Sequence, residues 1–145
     1  MIRICFVCLG NICRSPMAEF IMKDKVERLG LSDKFLIESR ATSYEESGND
    51  MHYEAKEMLD LNNVHYTKRC ATRVEESDFD KFDYFICMDS SNVRNLSRIL
   101  GDDSKISMLL STDVADPWYT GNFRVTYNDL DKGIDNLINK ISGKC

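Results

Sequence analysis

Proline and glycine are scarce in this chain, at two and seven of 145 residues, and no internal repeat is present. That scarcity argues against a disordered or low-complexity tail. No apolar run approaches the roughly eighteen residues of a membrane span, and Arg3 breaks the first apolar stretch before it can read as a signal peptide. A cytoplasmic protein with no membrane partner is expected. Positive charge is also in deficit: 19 Lys and Arg against 24 Asp and Glu leave a net charge of −5. Nucleic acid is therefore an unexpected partner, because backbone phosphates call for a broad basic surface. Only two histidines are present, His52 and His65. A cysteine-protease reading would need one of them beside a cysteine together with an orienting carboxylate or amide, and neither is so placed. His52 sits at the start of a predicted helix and reads as an ordinary surface or capping residue. His65 approaches a predicted strand and reads in the same two ways.

Six cysteines stand at 5, 8, 13, 70, 87 and 145. A chain this rich in core residues has no need of disulfide staples, and the expected compartment keeps thiols reduced. Cys5 and Cys8 match C-x2-C formally, yet residues three apart on a strand point to opposite faces, so no metal site is expected. Cys5 and Cys87 lie in apolar strand-like runs and are expected in the core. Cys70 and Cys145 carry no assignment.

With 43% hydrophobic and 30% charged residues, residues 1–145 are expected to form one globular domain around one core. Strand-like runs fall at 2–8, 35–39, 64–67, 83–88 and 105–109. Helical patterns fall at 16–29, 51–61, 90–99 and about 123–141. The last is carried by Leu130, Ile134, Leu137, Ile138 and Ile141 at helical spacing, with Gly143 as a natural stop. Such alternation implies an α/β fold of three layers, a parallel central sheet flanked by helices on both faces. Ligands of such sheets bind at the carboxyl ends of the strands.

At the end of the first strand stands Cys8-Leu9-Gly10-Asn11-Ile12-Cys13-Arg14-Ser15-Pro16. A short loop between strand and helix turns its N–H groups inward and, with the helix N-terminus, forms a concave anion site. Gly10 is expected to allow the tight turn. Arg14 can grip two phosphate oxygens with its planar fork. Thiols at helix N-termini or beside cations ionise at about pH 3.5–7.5 rather than near about 8.5, which makes Cys8 the expected nucleophile. Ser15 can donate its hydroxyl to that sulfur. The bare spacing of cysteine and arginine is common by chance; the preceding strand, the glycine and the Ser-Pro that follows make it informative. Arg40, Lys68, Arg69 and Arg73 are candidates to extend the positive potential.

A second candidate element is Asp116-Pro117-Trp118-Tyr119. Proline holds the preceding residue extended, and the aromatics offer an apolar wall. Asp116 there can protonate a leaving phenolate and later take a proton from attacking water.

The segment Phe6-Val7-Cys8-Leu9-Gly10-Asn11-Ile12-Cys13-Arg14-Ser15-Pro16, the Asp116-Pro117-aromatic-aromatic loop, Ser39-Arg40-Ala41-Thr42-Ser43, Phe82 to Asp89 and the chain length together resemble the low-molecular-weight protein tyrosine phosphatases. The resemblance spans essentially the whole chain. It implies a four-stranded parallel sheet and metal-independent, cofactor-free hydrolysis of protein phosphotyrosine and small aryl phosphates through a phosphocysteine. It implies Cys8 as nucleophile, Arg14 as phosphate clamp and Asp116 as general acid then base. Leu9, Gly10, Asn11, Ile12, Cys13, Arg14, Ser15, Tyr44, Trp118 and Tyr119 would bind substrate, with Asn11, Ser15 and Ser39 shaping the loop. Cys8 and Cys13 would form a reversible protective disulfide. Phosphotyrosine proteins are the implied partners, phosphate and other tetraoxoanions the implied inhibitors, and a monomer the expected state, with a weak dimer as the alternative. Two departures stand out. Arg69 aligns where many members carry histidine, and the substrate-rim slot falls on Tyr44 or Glu45. Two other classes compete: an arsenate reductase on the same fold, which would need a relay pair such as Cys70 and Cys87, and an inactive phosphotyrosine-binding module, which would have no need of Asp116.

Overall fold

A computed structural model describes residues 1–142; the expected stop at Gly143 and Cys145 lie outside the described residues. The elements run β1 (Ile2–Cys8), α1 (Arg14–Arg28), a 3-10 turn at Ser32–Lys34, β2 (Phe35–Ala41), α2 (Tyr53–Leu61), α3 (Asp78–Lys81), β3 (Tyr84–Cys87), α4 (Ser90–Leu100), β4 (Ile106–Met108), α5 (Pro117–Thr120) and α6 (Phe123–Ser142). The strands form one parallel sheet in the order β2-β1-β3-β4.

β1 is central and buried on both faces, which is why it reads as a nearly continuous apolar run. Ile4, Phe6 and Cys8 join the larger core with α1, α2 and α6. Cys5 and Val7 face the smaller core with Phe79 of α3 and with Leu96 and Leu100 of α4. Cys5 and Cys8 thus lie on opposite faces, as their spacing predicts. Cys5 and Cys87 are fully buried. α4 is held by a capping box between Asp89 and Asn92 at one end and by Gly101 at φ 73° at the other.

One predicted strand does not form: residues 62–72 contain none. Asn63 takes a left-handed φ of 57°, and Val64 N–H closes α2 on Leu59 O at 2.9 Å. Val64 is buried, and the Tyr66 ring packs edge-on against Phe20 at 6.4 Å. The apolar alternation at 64–67 is therefore satisfied by packing onto helices rather than by strand pairing, and both edges of β1 are already taken by β2 and β3. The short helices α3 and α5, one turn each, were not expected.

The carboxyl ends of β1 and β3 converge. Met88 N–H donates to Val7 O at 3.2 Å and Val114 N–H to Met88 O at 2.8 Å. This brings the loop after β1 against the residue that caps α4 and the segment entering α5.

Candidate active site

The loop from Cys8 to Cys13 is tied down along its length. Thr42 N–H donates to Cys8 O at 3.0 Å, Ser43 N–H to Leu9 O at 3.1 Å and His52 N–H to Ile12 O at 2.9 Å. His52 also caps α2, its Nδ1 accepting from Glu54 N–H at 3.1 Å, the second of the two readings its sequence position allowed. Gly10 was expected to provide the tight turn, but the left-handed residue of this loop is Asn11, at φ 59°. Asparagine tolerates that region better than most side chains. Gly10 serves close packing instead, since a Cβ there would meet Glu46 Cγ at 3.4 Å.

Asn11 is fully buried and its amide orientation is fixed by its partners. Its Oδ1 accepts from Thr72 N–H at 3.2 Å and from Arg69 Nη2. Its Nδ2 then donates to Ser15 Oγ at 2.7 Å and to Ser39 Oγ at 3.0 Å. Each hydroxyl already accepts from Asn11, so each proton is directed onward: Ser39 donates to Glu19 Oε1 at 2.7 Å, and Ser15 to Cys8 Sγ at 2.9 Å. Asn11 N–H adds a second donor to the sulfur at 3.3 Å. Arg69 Nη1 also donates to Asn11 O at 2.8 Å, so one guanidinium holds both ends of this residue. Burial draws the Arg69 pKa below its usual value, with nearby acids and Cys8 opposing.

Arg14 begins α1 and its side chain is only 4% exposed. Nη1 lies 2.9 Å from Asp89 Oδ2 and donates to Val114 O at 3.1 Å. Nη2 reaches Asp116 Oδ2 at 3.3 Å. The other oxygen of Asp116 caps α5, accepting from Trp118 N–H at 3.0 Å, with Pro117 in the first helical position. The approach to Asp116 is pinned to α6, where Ala115 N–H donates to Asp129 Oδ2 at 3.1 Å and Thr126 Oγ1 to Ala115 O at 2.8 Å.

These groups enclose a cavity of about 200 Å³ lined by Cys8 to Arg14, Glu45, Glu46, Asp116, Trp118 and Tyr119. The structure thus brings together the expected loop, Asp116 and the two aromatics. Ser15 and Ser39 sit behind the loop. Tyr44 does not line the cavity; its ring is covered by the Arg73 guanidinium at 4.7 Å, and the turn that follows presents Glu45 and Glu46 instead. Of the four basic candidates, only Arg69 hydrogen-bonds to the loop. Arg40 pairs with Glu38 at 2.8 Å and Asp78 at 3.7 Å, Arg73 is engaged with Tyr44, and Lys68 is exposed. Burial, reinforced by Cys8 and Asp116, pushes the Cys13 thiol up to about 12. Burial and Asp89 push Cys87 up to about 12 in β3, while Cys70 is exposed on a loop.

Asp89 was not singled out as a site residue, nor were Glu19, Glu46 and Thr72. The one local signal at Asp89 is its capping position before α4; its contact with Arg14 spans 75 residues of chain, from 14 to 89.

Comparison with known proteins agrees with this geometry. The sequence model of the family described as Low molecular weight phosphotyrosine protein phosphatase matches residues 3–144. The low molecular weight protein-tyrosine-phosphatase YfkJ of Bacillus subtilis is 38% identical over 150 residues, covering 97% of this chain and 96% of its own. A low molecular weight phosphotyrosine protein phosphatase of Schizosaccharomyces pombe is 41% identical over 131 residues, covering 83% of each chain. Among solved structures, the low molecular weight protein tyrosine phosphatase of Streptococcus pyogenes superposes with a TM-score of 0.91 at 45% identity, covering 97% of this chain and 93% of that one. With the fold, the loop and these relatives in agreement, the chain belongs to the low molecular weight phosphotyrosine protein phosphatase family.

Proposed function

We propose that this protein hydrolyses phosphotyrosine in proteins, and small aryl phosphates, by two in-line displacements at Cys8, with residues 1–145 acting as one catalytic domain. The observation that carries this reading is the shared placement of Cys8, Arg14 and Asp116 around one cavity, with two donors on the sulfur and a guanidinium anchored beside it.

In the first displacement the Cys8 thiolate attacks phosphorus, the S–P bond forms and the P–O bond to the tyrosine breaks. Asp116 gives its proton to the departing phenolate. In the second, Asp116 takes a proton from water, the oxygen attacks phosphorus, and the S–P bond breaks to return the thiolate and release phosphate. Arg14 and the inward loop amides neutralise the equatorial oxygens in both steps. Arg14 can do so because Asp89 and Val114 O hold Nη1 while Nη2 is shared with Asp116, leaving it positioned before substrate arrives. Phosphate and other tetraoxoanions, which fill the same cradle, should inhibit competitively.

Cys13 lines the same cavity. Oxidation of Cys8 by a peroxide to the sulfenic acid would be followed by attack of Cys13 sulfur, expelling water and leaving a disulfide that external thiol reduces. Peroxide-treated wild type should recover on thiol reduction; equal recovery of Cys13→Ser would remove Cys13 from this role.

The decisive test is phosphate release from an aryl phosphate with chelator present. Wild type is expected to turn over, and Cys8→Ser to be inactive. Absence of wild-type turnover, with arsenate consuming thiols instead, would overturn the reading.

A further inference from the structure

The cavity has Arg14 among its lining residues together with two carboxylates, Glu45 and Glu46, from the turn after β2. An anion site gains nothing from carboxylates at its entrance, yet Glu45 and Glu46 both line it beside the exposed rings of Trp118 and Tyr119. Neither glutamate forms an ion pair among the described residues, whereas three neighbouring cations are engaged elsewhere. Arg73 lies over Tyr44, Arg69 is bound to Asn11, and Lys56 pairs with Asp50 at 2.7 Å.

The Glu46 carboxylate and the backbone that carries both acids are held in place. Asn49 Nδ2 donates to Glu46 Oε2 at 2.7 Å, and the stem of Glu46 packs against Gly10. Glu45 N–H is fixed by Ser43 Oγ at 3.1 Å. The turn itself is closed by Ser47 N–H to Tyr44 O at 3.1 Å and Gly48 N–H to Ala71 O at 2.9 Å. The charge of Glu46 reaches the floor, where it helps to raise the Cys13 thiol.

We propose that Glu45 and Glu46 are specificity residues that select phosphotyrosine flanked by lysine or arginine. The inference rests on the phosphatase reading above. A bare or acidic phosphopeptide meets two like charges on entry. A basic neighbour of the phosphotyrosine meets two carboxylates free of ion pairs, while the aromatics hold the tyrosine ring. The rim thus works by repelling the wrong partner as much as by attracting the right one. Exposed pairs of this kind each shift affinity by roughly two- to fivefold, so two together predict a preference of about tenfold at low salt.

The test compares kcat/KM for three phosphotyrosine peptides of equal length, flanked by lysine, alanine or glutamate, with an aryl phosphate as reference. Wild type should favour the lysine peptide over the glutamate peptide by about tenfold, and the ratio should shrink as salt rises. In Glu45→Gln/Glu46→Gln the ratio, taken within the variant so that any change in folding or turnover cancels, should fall toward one. Glu76→Gln, an exposed acid away from the cavity, should keep the wild-type ratio. A wild-type ratio of one or less with the aryl phosphate hydrolysed would overturn the rim assignment while leaving the phosphatase reading intact. A ratio unchanged in the double variant would do the same. Failure to hydrolyse the aryl phosphate itself would overturn both.

Discussion

Asp116 performs two tasks with two oxygens. Oδ1 accepts from Trp118 N–H and fixes the carboxyl at the start of α5, while Oδ2 points to Arg14 and the cavity. The acid role proposed for it can be separated from its structural one by the leaving group. Asp116→Ala should reduce kcat on phosphotyrosine by about 10²- to 10⁴-fold, the usual range for a general acid. It should reduce the rate far less on an aryl phosphate whose phenol is acidic enough to leave unprotonated; equal losses on both would remove Asp116 from the acid role. Cys8, Arg14 and Asp116 were legible in sequence because each carries a local mark: the strand before the loop, the Ser-Pro after it, the proline after the aspartate. Asn11 was legible as a loop residue, but its left-handed backbone was not, and the turn was assigned to Gly10. Only its partners, Thr72 and Arg69 from a segment some sixty residues away, reveal why asparagine stands there.

At the scale of elements, the junction of β3 and α4 ties stability to chemistry. Asp89 caps α4 through Oδ1 to Asn92 N–H at 2.8 Å and holds Arg14 through Oδ2. Asp89→Ala should therefore lose both, lowering stability by about 1 kcal/mol for the cap alone and misplacing Arg14. Asp89→Asn keeps a good cap and removes the charge. It should retain thermal stability close to wild type by calorimetry while kcat falls; a variant that keeps full kcat would show that Arg14 needs no support from Asp89. This coupling was not legible, since the capping signal is local whereas the Arg14 contact depends on how the sheet brings β1 and β3 side by side. The same limit explains residues 64–67, where period-two alternation is the pattern of a strand but Val64 and Tyr66 pack against helices instead.

At the scale of the whole molecule, the fold was largely legible, because β1 carries a run that only burial on both faces explains and α6 carries a clean helical stripe. What the sheet does to its cysteines has a consequence for pH. Burial raises Cys5 well above the usual thiol value and pushes Cys13 and Cys87 up to about 12. These groups hold their protons in the folded state but release them near pH 9 when unfolded. Their contribution to stability is therefore complete below about pH 9 and is lost as pH rises toward 12, because there the folded chain binds more protons than the unfolded one. Under reducing conditions the melting temperature should fall between pH 9 and 11, and Cys87→Ala should flatten that slope; a slope unchanged by Cys87→Ala would show that its thiol does not contribute.

The proposed mechanism passes through a covalent phosphoenzyme at Cys8. Rapid denaturing quench at neutral pH of Asp116→Ala during turnover of a radiolabelled aryl phosphate whose phenol leaves unprotonated, followed by proteolysis and peptide mapping, tests it directly, since formation then needs no acid while loss of the general base should let the intermediate accumulate. Label on the peptide containing Cys8, absent after Cys8→Ser, is the predicted result. Turnover in wild type with no label at Cys8, or with label on another residue, would contradict it.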